Sequence, residues 1–166
     1  MSHILCLYYS RTGTTREIMT QLSELLEAEL VEIRDGKARK GAVGFLVSGM
    51  DAMKKSPEEL LPMETAKPLG EYDHIILATP VWAGRCTSAV RSFLMAHGRE
   101  LPEHVSYVIT HMGDSPYETV YEQMDQYLKL PHVLGLSLQP KAADRHQKVY
   151  DFARAIREVG QEPAEE

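Results

Sequence analysis

Residues 3–9 form an almost continuously apolar run, and the six residues after them are polar or glycine. An apolar run of this length is typical of a strand that is buried on both faces, as in a parallel sheet. Beyond residues 10–15, apolar residues recur at helical spacing, at Ile18, Leu22, Leu25 and Leu26. The segment therefore predicts a buried strand, a tight loop and a helix.

The same alternation continues along the chain. Further short apolar runs predict strands at residues 30–33, 73–78, 105–110 and 133–138. Helical periodicity follows each of the last three runs. Strands that alternate with helices in this way predict an α/β fold, with a parallel sheet covered by helices on both faces.

The overall composition limits the class of protein. The chain has 166 residues, 43% of them apolar, and a formal net charge of -6. These values exclude a disordered chain and predict a single domain over residues 1–160, followed by an acidic tail at residues 161–166. The acidic balance argues against nucleic acid as a general partner, and no apolar run reaches the roughly 20 residues of a membrane span.

Cysteine usage and the first residues bear on the compartment. The two cysteines, Cys6 and Cys86, form neither a disulfide framework nor a metal cluster. The chain starts without the basic segment of a signal peptide. We therefore expect a cytoplasmic protein. Cys86 follows a predicted loop without a neighbouring histidine or second cysteine, which favours a packing role over a nucleophilic one.

A long excursion separates the second and third predicted strands. Residues 34–71 exceed an ordinary crossover, and helical spacing at Phe45, Leu46, Met50 and Met53 predicts at least one helix there. Residues 34–55 carry six basic and two acidic side chains, a net charge of +4. Two interpretations stay open: a solvated surface segment, or a flap that docks over a ligand or partner.

The first loop, residues 10–15, has the chemistry of an anion site. Four of its six residues carry hydroxyls, and Gly13 permits a close backbone approach. The N–H groups and the dipole at a helix start favour a phosphate. The spacing matches neither the Walker-type loop nor the dinucleotide fingerprint. The alternative is a capping box, with Thr14 as the N-cap and Glu17 three residues later.

The second loop, residues 79–84, holds the one tryptophan of the chain, Trp82. It stands at the carboxyl end of a predicted strand, where we expect a core residue to be poorly placed. An indole there offers a flat face for stacking on a planar ligand. The alternative is a tryptophan that covers the start of the next helix.

The third loop, residues 111–118, combines capping signals with an aromatic residue. Ser115 is predicted as an N-cap, Pro116 as the first helical residue, and Glu118 completes the capping box. Capping does not explain Tyr117, which is a candidate second aromatic wall. Residues 100–128 include six acidic residues and no lysine or arginine. This predicts an acidic rim around the loop, either a solvated face or a docking surface for a basic partner.

With these loops in order, the sequence resembles the flavodoxin-like FMN-binding proteins. Residues 9–15 resemble the family's Thr/Ser-x-Thr-Gly-x-Thr signature after the first strand. Residues 73–94 resemble the isoalloxazine loop of a group of bacterial and archaeal flavodoxin-family proteins. Residues 113–118 are similar to the third flavin loop of short-chain flavodoxins, and the resemblance covers nearly the whole chain. It implies a three-layer α/β/α sandwich with the strand order 2-1-3-4-5.

The resemblance also implies site residues in each loop. The FMN phosphate would be held by the first loop, through Ser10, Thr12, Gly13, Thr14 and Thr15, with Arg11 adding a charge that many flavodoxins lack. The isoalloxazine would lie along Thr79, Pro80, Val81, Trp82, Ala83 and Gly84. Its other side would be closed by Met112, Gly113, Asp114 and Tyr117. Because a helix follows Tyr117 directly, we expect Trp82 to be the stronger stacking residue.

The implied role is that of an FMN flavoprotein carrying electrons between redox partner proteins, with no catalytic side chain and no metal required. A second possibility is an NAD(P)H-dependent quinone or FMN reductase, in which the basic excursion could bind a 2′-phosphate. A third, of a different class, is a binding module that keeps the fold without flavin. The expected partners are a redox protein, or NAD(P)H with a quinone, and the chain is expected to be a monomer or a homodimer.

Overall fold

A computed structural model describes residues 2–35 and 60–161 of the chain. The helix predicted within residues 45–53, most of the basic excursion and residues 162–166 of the tail lie outside the described residues. The described residues contain six strands: β1 (Ile4–Tyr8), β2 (Glu29–Glu32), β3 (His74–Trp82), β4 (Arg85–Cys86), β5 (Val105–Thr110) and β6 (Gly135–Leu138).

In the same part of the chain, four α-helices accompany these strands: α1 (Thr14–Leu26), α2 (Ser88–His97), α3 (Thr119–Leu128) and α4 (Arg145–Val159). Short 3₁₀ turns at Leu69–Glu71 and Gly98–Glu100 precede β3 and β5. Within the described ranges, no helix combines the length and the apolar character needed to cross a membrane.

The sheet has the predicted topology. Its parallel strands lie in the order β2-β1-β3-β5-β6, which corresponds to the expected 2-1-3-4-5 because β4 only pairs antiparallel with the end of β3. Successive strands are added in one direction from β1 to β2 and in the other direction from β3 onward. The strand order therefore reverses between β1 and β3, where open α/β sheets bind ligands.

The two faces of the sheet are buried in separate cores, which explains the continuously apolar strands. Leu5 and Leu7 of β1 pack in the core on the side of α2 and α3. Ile4 and Cys6 pack in the other core, on the side of α1 and α4. Because both faces of β1 are covered, alternation of polar and apolar residues disappears from its sequence.

The third strand is longer than predicted. It was expected to end at residue 78, but β3 continues to Trp82, and Thr79 and Pro80 pair with Ile109 and Thr110 of β5. A proline lacks the donor of a ladder hydrogen bond, which makes it a strand-ending signal in a sequence. Here Pro80 is tolerated near the carboxyl end of the strand, so the predicted loop at 79–84 is mostly strand.

Candidate functional site

The three predicted loops meet at one edge of the sheet. Tyr8 at the end of β1 pairs with Ala78 of β3, and Pro80 of β3 pairs with Thr110 at the end of β5. The segments that follow these strands therefore start next to one another, at the point where the strand order reverses.

The first loop reaches α1 through a left-handed glycine. Gly13 is the N-cap of α1, with φ 94°, and its N–H donates to Ser10 Oγ at 3.0 Å. Its carbonyl accepts the N–H of Glu17 at 3.0 Å, which closes the first helical turn. The alternative interpretation of this loop, a capping box with Thr14 as the N-cap, is wrong, because Thr14 is already helical and no side chain caps α1.

This helix start leaves donors for an anion. The N–H groups of Thr14, Thr15 and Arg16 have no intrahelical acceptor, since they lie in the first turn. The hydroxyls of Thr12 and Thr14 are 3.3 Å apart. Thr12 is exposed and Thr14 is half-buried. The Thr15 hydroxyl instead lies 2.9 Å from the Thr110 hydroxyl in the buried interior.

Ion pairs balance the side-chain charges of the first turn of α1. Glu17 would oppose an anion, but its carboxylate is paired with Arg145 of α4 at 3.0 Å. Arg16 is paired with Glu32 of β2 at 2.8 Å. Its guanidinium also donates to the Tyr8 hydroxyl at 3.1 Å. The remaining local field at this turn is therefore mainly that of the helix dipole and its N–H groups.

The second loop is a two-residue hairpin turn. Trp82 of β3 pairs with Arg85 of β4, and Ala83 and Gly84 between them both have positive φ, 51° and 69°. Positive φ at both central residues defines a type I′ turn, which favours asparagine or glycine. Ala83 is thus held in a conformation that alanine rarely adopts, at the edge where a ligand would bind.

Trp82 does not present an open face. It is 7% exposed and belongs to the core, and its ring meets that of Tyr9 edge-on at a centroid distance of 5.5 Å. The expectation that a core residue is poorly placed at this position is wrong, because β3 extends to it. Thr79 also turns inward, since its hydroxyl accepts the N–H of Thr87 at 3.1 Å. Of this loop, Pro80 and Val81 are half-buried, and Ala83 and Gly84 are exposed.

The third loop continues further than predicted before its helix begins. The helix α3 starts at Thr119, and Tyr117 has a φ of 53°, so Pro116 lies outside the helix. Ser115 does not cap the helix: its hydroxyl accepts the N–H of Tyr117 at 3.3 Å, two residues along the chain. The capping prediction is wrong because the left-handed residue interrupts the backbone that it assumed.

Tyr117 folds back over the start of this loop. A Cβ built on Gly113 would lie 2.3 Å from the Tyr117 hydroxyl, so a side chain at that position would require the Tyr117 ring to move. Tyr117 is half-buried and Asp114 is exposed. Met112 is 88% exposed, an unusual degree for a large apolar side chain.

Three residues that sequence reasoning did not select hold the third loop. His111 is 7% exposed, and its ring nitrogens lie 2.8 Å from the Gly113 carbonyl oxygen and 2.9 Å from Ser137 Oγ. Gln139, directly after β6, donates to the same carbonyl at 2.8 Å. Since Ser137 and Gln139 stand at the carboxyl end of a strand, the rule that located the other loops could have found them.

The acidic rim is smaller than predicted. Glu100 and Glu103 precede β5 and therefore lie toward the opposite edge of the sheet. Asp125 turns inward to accept the Tyr107 hydroxyl at 2.8 Å. The acidic residues that accompany the third loop and the start of α3 are Asp114, Glu118 and Glu122, all exposed.

The cysteines behave as packing residues. Both are buried free thiols. Burial raises the pKa of Cys86 to about 11 and that of Cys6 to about 12. The pKa shift has the opposite sign to that of a reactive thiolate, which confirms the packing role predicted for Cys86. In residues 2–35 and 60–161, no group of three potential ligand side chains could hold a metal ion.

Comparison with known proteins identifies solved structures that share this architecture. Neither a protein-family model nor a curated protein matches the chain. The crystal structure of a flavoprotein from Bacteroides eggerthii DSM 20697 aligns with a TM-score of 0.76 and 20% identity. The alignment covers 98% of this chain and 100% of that protein. The oxidised flavodoxin 2 from Bacillus cereus aligns with a TM-score of 0.59 and 20% identity, over 95% of this chain and 99% of the flavodoxin. The chain has the flavodoxin-like fold.

The flavodoxin-like fold also occurs in a flavoprotein from Lactobacillus acidophilus NCFM, whose crystal structure is a complex with FMN. That protein aligns with a TM-score of 0.67 and 19% identity, over 82% of this chain and 94% of its own. At these identities the similarity lies in the backbone. What binds at the carboxyl edge of the sheet is therefore determined by this chain's own residues.

Proposed function

We propose that the chain binds FMN at the carboxyl edge of its sheet and carries electrons between redox partner proteins. The observation that carries the proposal is the convergence of the α1 start with loops 79–84 and 111–118 at the point where the strand order reverses. Ligands of open α/β sheets bind at this place. The crystal structure of the Lactobacillus acidophilus flavoprotein in complex with FMN supports the choice of FMN as the ligand.

The first loop fits a phosphate. It offers backbone N–H groups at the positive end of α1 and the hydroxyls of Thr12 and Thr14, and phosphate oxygens accept from both. No atom lies within 4 Å of a Cβ built on Gly13, so open space adjoins these donors. We assign phosphate contacts to Thr12, Thr14 and the backbone N–H groups of residues 14–16, and a supporting role to the Thr15 hydroxyl, which is engaged with Thr110.

The other two loops fit a planar ring system. Pro80, Val81 and the Ala83–Gly84 turn would border one side of the isoalloxazine, and Tyr117 the other. We assign stacking to Tyr117 in preference to Trp82, because Trp82 is 7% exposed and its ring packs against Tyr9. Bound FMN supplies the redox chemistry, while these residues bind it, orient it and exclude water.

The exposed surface beside this edge fits a protein partner. Met112 is 88% exposed, and Asp114, Glu118 and Glu122 are exposed acidic residues of the same loop and of α3. An apolar side chain among carboxylates favours a partner with a basic patch around an apolar centre. This is the surface that we propose for docking of the redox partner.

Visible spectroscopy tests the proposal directly. We expect the purified chain, after incubation with FMN and desalting, to retain a flavin spectrum. Absence of flavin uptake would refute FMN binding and favour the flavin-free module. In titrations with FMN and riboflavin, Thr12→Ala and Thr14→Ala should weaken FMN more than riboflavin. Thr119→Ala, at the start of α3, is the matched control and should leave the ratio unchanged.

A second experiment separates the carrier from the reductase. The FMN-loaded protein is mixed anaerobically with NADH or NADPH, and the flavin absorbance is followed in time. If the chain is a carrier, the flavin absorbance should fall slowly after mixing. A fall as fast as mixing itself would indicate a reductase and overturn the carrier assignment. Chemical reduction with dithionite is the control that shows the flavin to be reducible.

A further inference from the structure

The start of α4 lies against the first two turns of α1. Arg145, the first residue of α4, donates through Nη2 to a Glu17 carboxylate oxygen at 3.0 Å. The next residue, His146, has its Nδ1 3.2 Å from Gln21 Oε1. Because residues 17 and 21 are one helical turn apart, both contacts fall on one face of α1. A guanidinium therefore stands beside the helix turn to which we assign the phosphate.

A second hydrogen bond fixes this guanidinium independently of Glu17. Arg145 Nη1 donates to the Pro140 carbonyl at 3.0 Å, in the segment that follows β6. The Arg145 side chain is 17% exposed, whereas that of Glu17 is 66% exposed. The arginine is thus the enclosed partner of the pair, and its position is determined by α4 and by the backbone at Pro140.

Both charges stand where a single charge would be unfavourable. The first turn of α4 contains Arg145 and no acidic residue, although a cation opposes the positive end of a helix dipole. Glu17 belongs to the first turn of α1, where a carboxylate would repel any anion bound at that same helix end. Placed 3.0 Å apart, the two charges neutralise each other.

We propose that Arg145 is a positioning residue that gives this site its preference for a phosphate-bearing ligand: by neutralising Glu17, it keeps the start of α1 attractive to an anion. The inference rests on the proposed function for FMN as the ligand. Arg16, in the same turn, is already paired with Glu32 of β2 at 2.8 Å. Without Arg145, the first turn of α1 would therefore carry the uncompensated charge of Glu17. Arg145 acts through Glu17, and no contact with the ligand is required.

Two variants that break the same ion pair should have opposite effects on binding. We measure dissociation constants for FMN and riboflavin and call their ratio the phosphate preference. Arg145→Gln leaves the Glu17 charge in place and should lower the phosphate preference by roughly three- to fivefold, the effect of one charge near a helix terminus. Glu17→Gln leaves the guanidinium held at Pro140 and should raise it by roughly two- to threefold. An ion pair with a merely structural role would change both variants in the same direction, and that result would overturn the proposal.

The double variant Arg145→Gln with Glu17→Gln is the first control. It removes both charges, so its phosphate preference should return to within about twofold of the wild type. Raising the salt concentration should reduce the differences between the single variants, because the effect is electrostatic. A double variant that keeps the full loss of Arg145→Gln would contradict neutralisation of Glu17.

Lys148→Gln is the matched control for net charge. It removes one positive charge from the same helix, where Lys148 pairs with Asp144 at 3.5 Å. Its phosphate preference should stay within about twofold of the wild type. A loss equal to that of Arg145→Gln would assign the effect to the total charge of the chain and refute the role of Arg145.

A phosphate titration separates this inference from the proposed function. Inorganic phosphate is added to the flavin-free ¹⁵N-labelled chain, and the amide shifts of Thr14, Thr15 and Arg16 are followed. If the wild type takes up no FMN but binds phosphate more tightly than Arg145→Gln and less tightly than Glu17→Gln, the proposed function fails and the inference holds. If it binds neither ligand, both fail. If Arg145→Gln does not fold, the direction of the change in Glu17→Gln decides, since unchanged or weakened phosphate preference there contradicts the proposal.

Discussion

Thr15 and Thr110 share a buried hydrogen bond, with their Oγ1 atoms 2.9 Å apart although the residues are 95 positions apart in sequence. Thr15 is 2% exposed and Thr110 is 4% exposed. The bond joins the start of α1 to the end of β5. The proposed phosphate loop and the third loop are therefore fixed to one another through the interior, which is what a preformed site requires.

Removing this bond should affect stability, whereas removing an exposed hydroxyl should affect binding. Thr15→Val leaves the Thr110 hydroxyl buried without its partner and should lower the free energy of unfolding by about 1–3 kcal/mol. Thr12→Ala should change it by less than about 0.5 kcal/mol and instead weaken FMN more than riboflavin. Urea unfolding and ligand titration give the two quantities.

The double variant Thr15→Val with Thr110→Val is the control for this interpretation. Because it removes both polar groups, it should recover part of the stability that Thr15→Val loses. Equal unfolding free energies for Thr12→Ala and Thr15→Val would contradict the division between a binding and a structural threonine.

Much of the fold follows from the sequence because both faces of the parallel strands are covered. Residues 3–9 and 105–110 are mostly apolar without strict alternation, and the observed β1 and β5 coincide with them to within a residue at each end. The strand order was predicted by resemblance to a known family and agrees with the structure. Burial of a strand on both faces can be predicted from a short stretch of sequence, because it requires a nearly continuous apolar run.

The details of the site were less predictable, since they depend on contacts between distant segments. The length of β3 is determined by pairing with β5, so Pro80 gives a misleading local signal of a loop. Gly13 and Tyr117 adopt positive φ, which displaces the helix starts that the capping residues Thr14 and Ser115 indicated. Such left-handed residues are stabilised by contacts with surrounding segments, so capping motifs in the local sequence do not reveal them.

Buried His74 should make the chain less stable in acid. Burial, with a smaller contribution from neighbouring His104, lowers the pKa of His74 from 6.5 to about 4. Between these pH values the unfolded chain binds a proton that the folded chain does not, so stability falls as pH falls through this window and the loss is complete below about 4. The shift corresponds to roughly 3 kcal/mol.

Urea unfolding from neutral pH down to mildly acidic pH measures this loss. His74 Nε2 lies 2.8 Å from Ser106 Oγ, and His74→Gln keeps a polar group near it without a titrating one. The wild type should lose stability relative to His74→Gln as the pH falls. His104→Gln leaves His74 buried and removes only the smaller contribution of His104, so it should show most of the wild-type loss. Parallel curves for wild type and His74→Gln would exclude this origin.

Both thiols should be unreactive in the folded chain. Cys6 is 0% exposed and Cys86 is 2% exposed, and burial raises the pKa of each. A disulfide reagent such as Ellman's reagent reacts with accessible thiolates, so we expect no fast phase at neutral pH and two equivalents of thiol after unfolding in urea. Fast labelling of the folded wild type that disappears in Cys86→Ala would assign a reactive thiol to the start of α2.

The turn at Ala83 and Gly84 should accept a stabilising substitution. Ala83 has a φ of 51°, which costs a side chain with a Cβ about 1–2 kcal/mol, and asparagine tolerates this conformation better than alanine. Ala83→Asn creates the Asn-Gly pair that type I′ turns favour and should raise the free energy of unfolding by roughly 0.5–1 kcal/mol.

Ala83→Val is the contrasting variant: it places a β-branched side chain at positive φ and should lower the free energy of unfolding by about 1–3 kcal/mol. Urea unfolding of the flavin-free variants measures both changes. If Ala83→Val were as stable as Ala83→Asn, the turn would not have the left-handed backbone on which the shape of this edge of the proposed site depends.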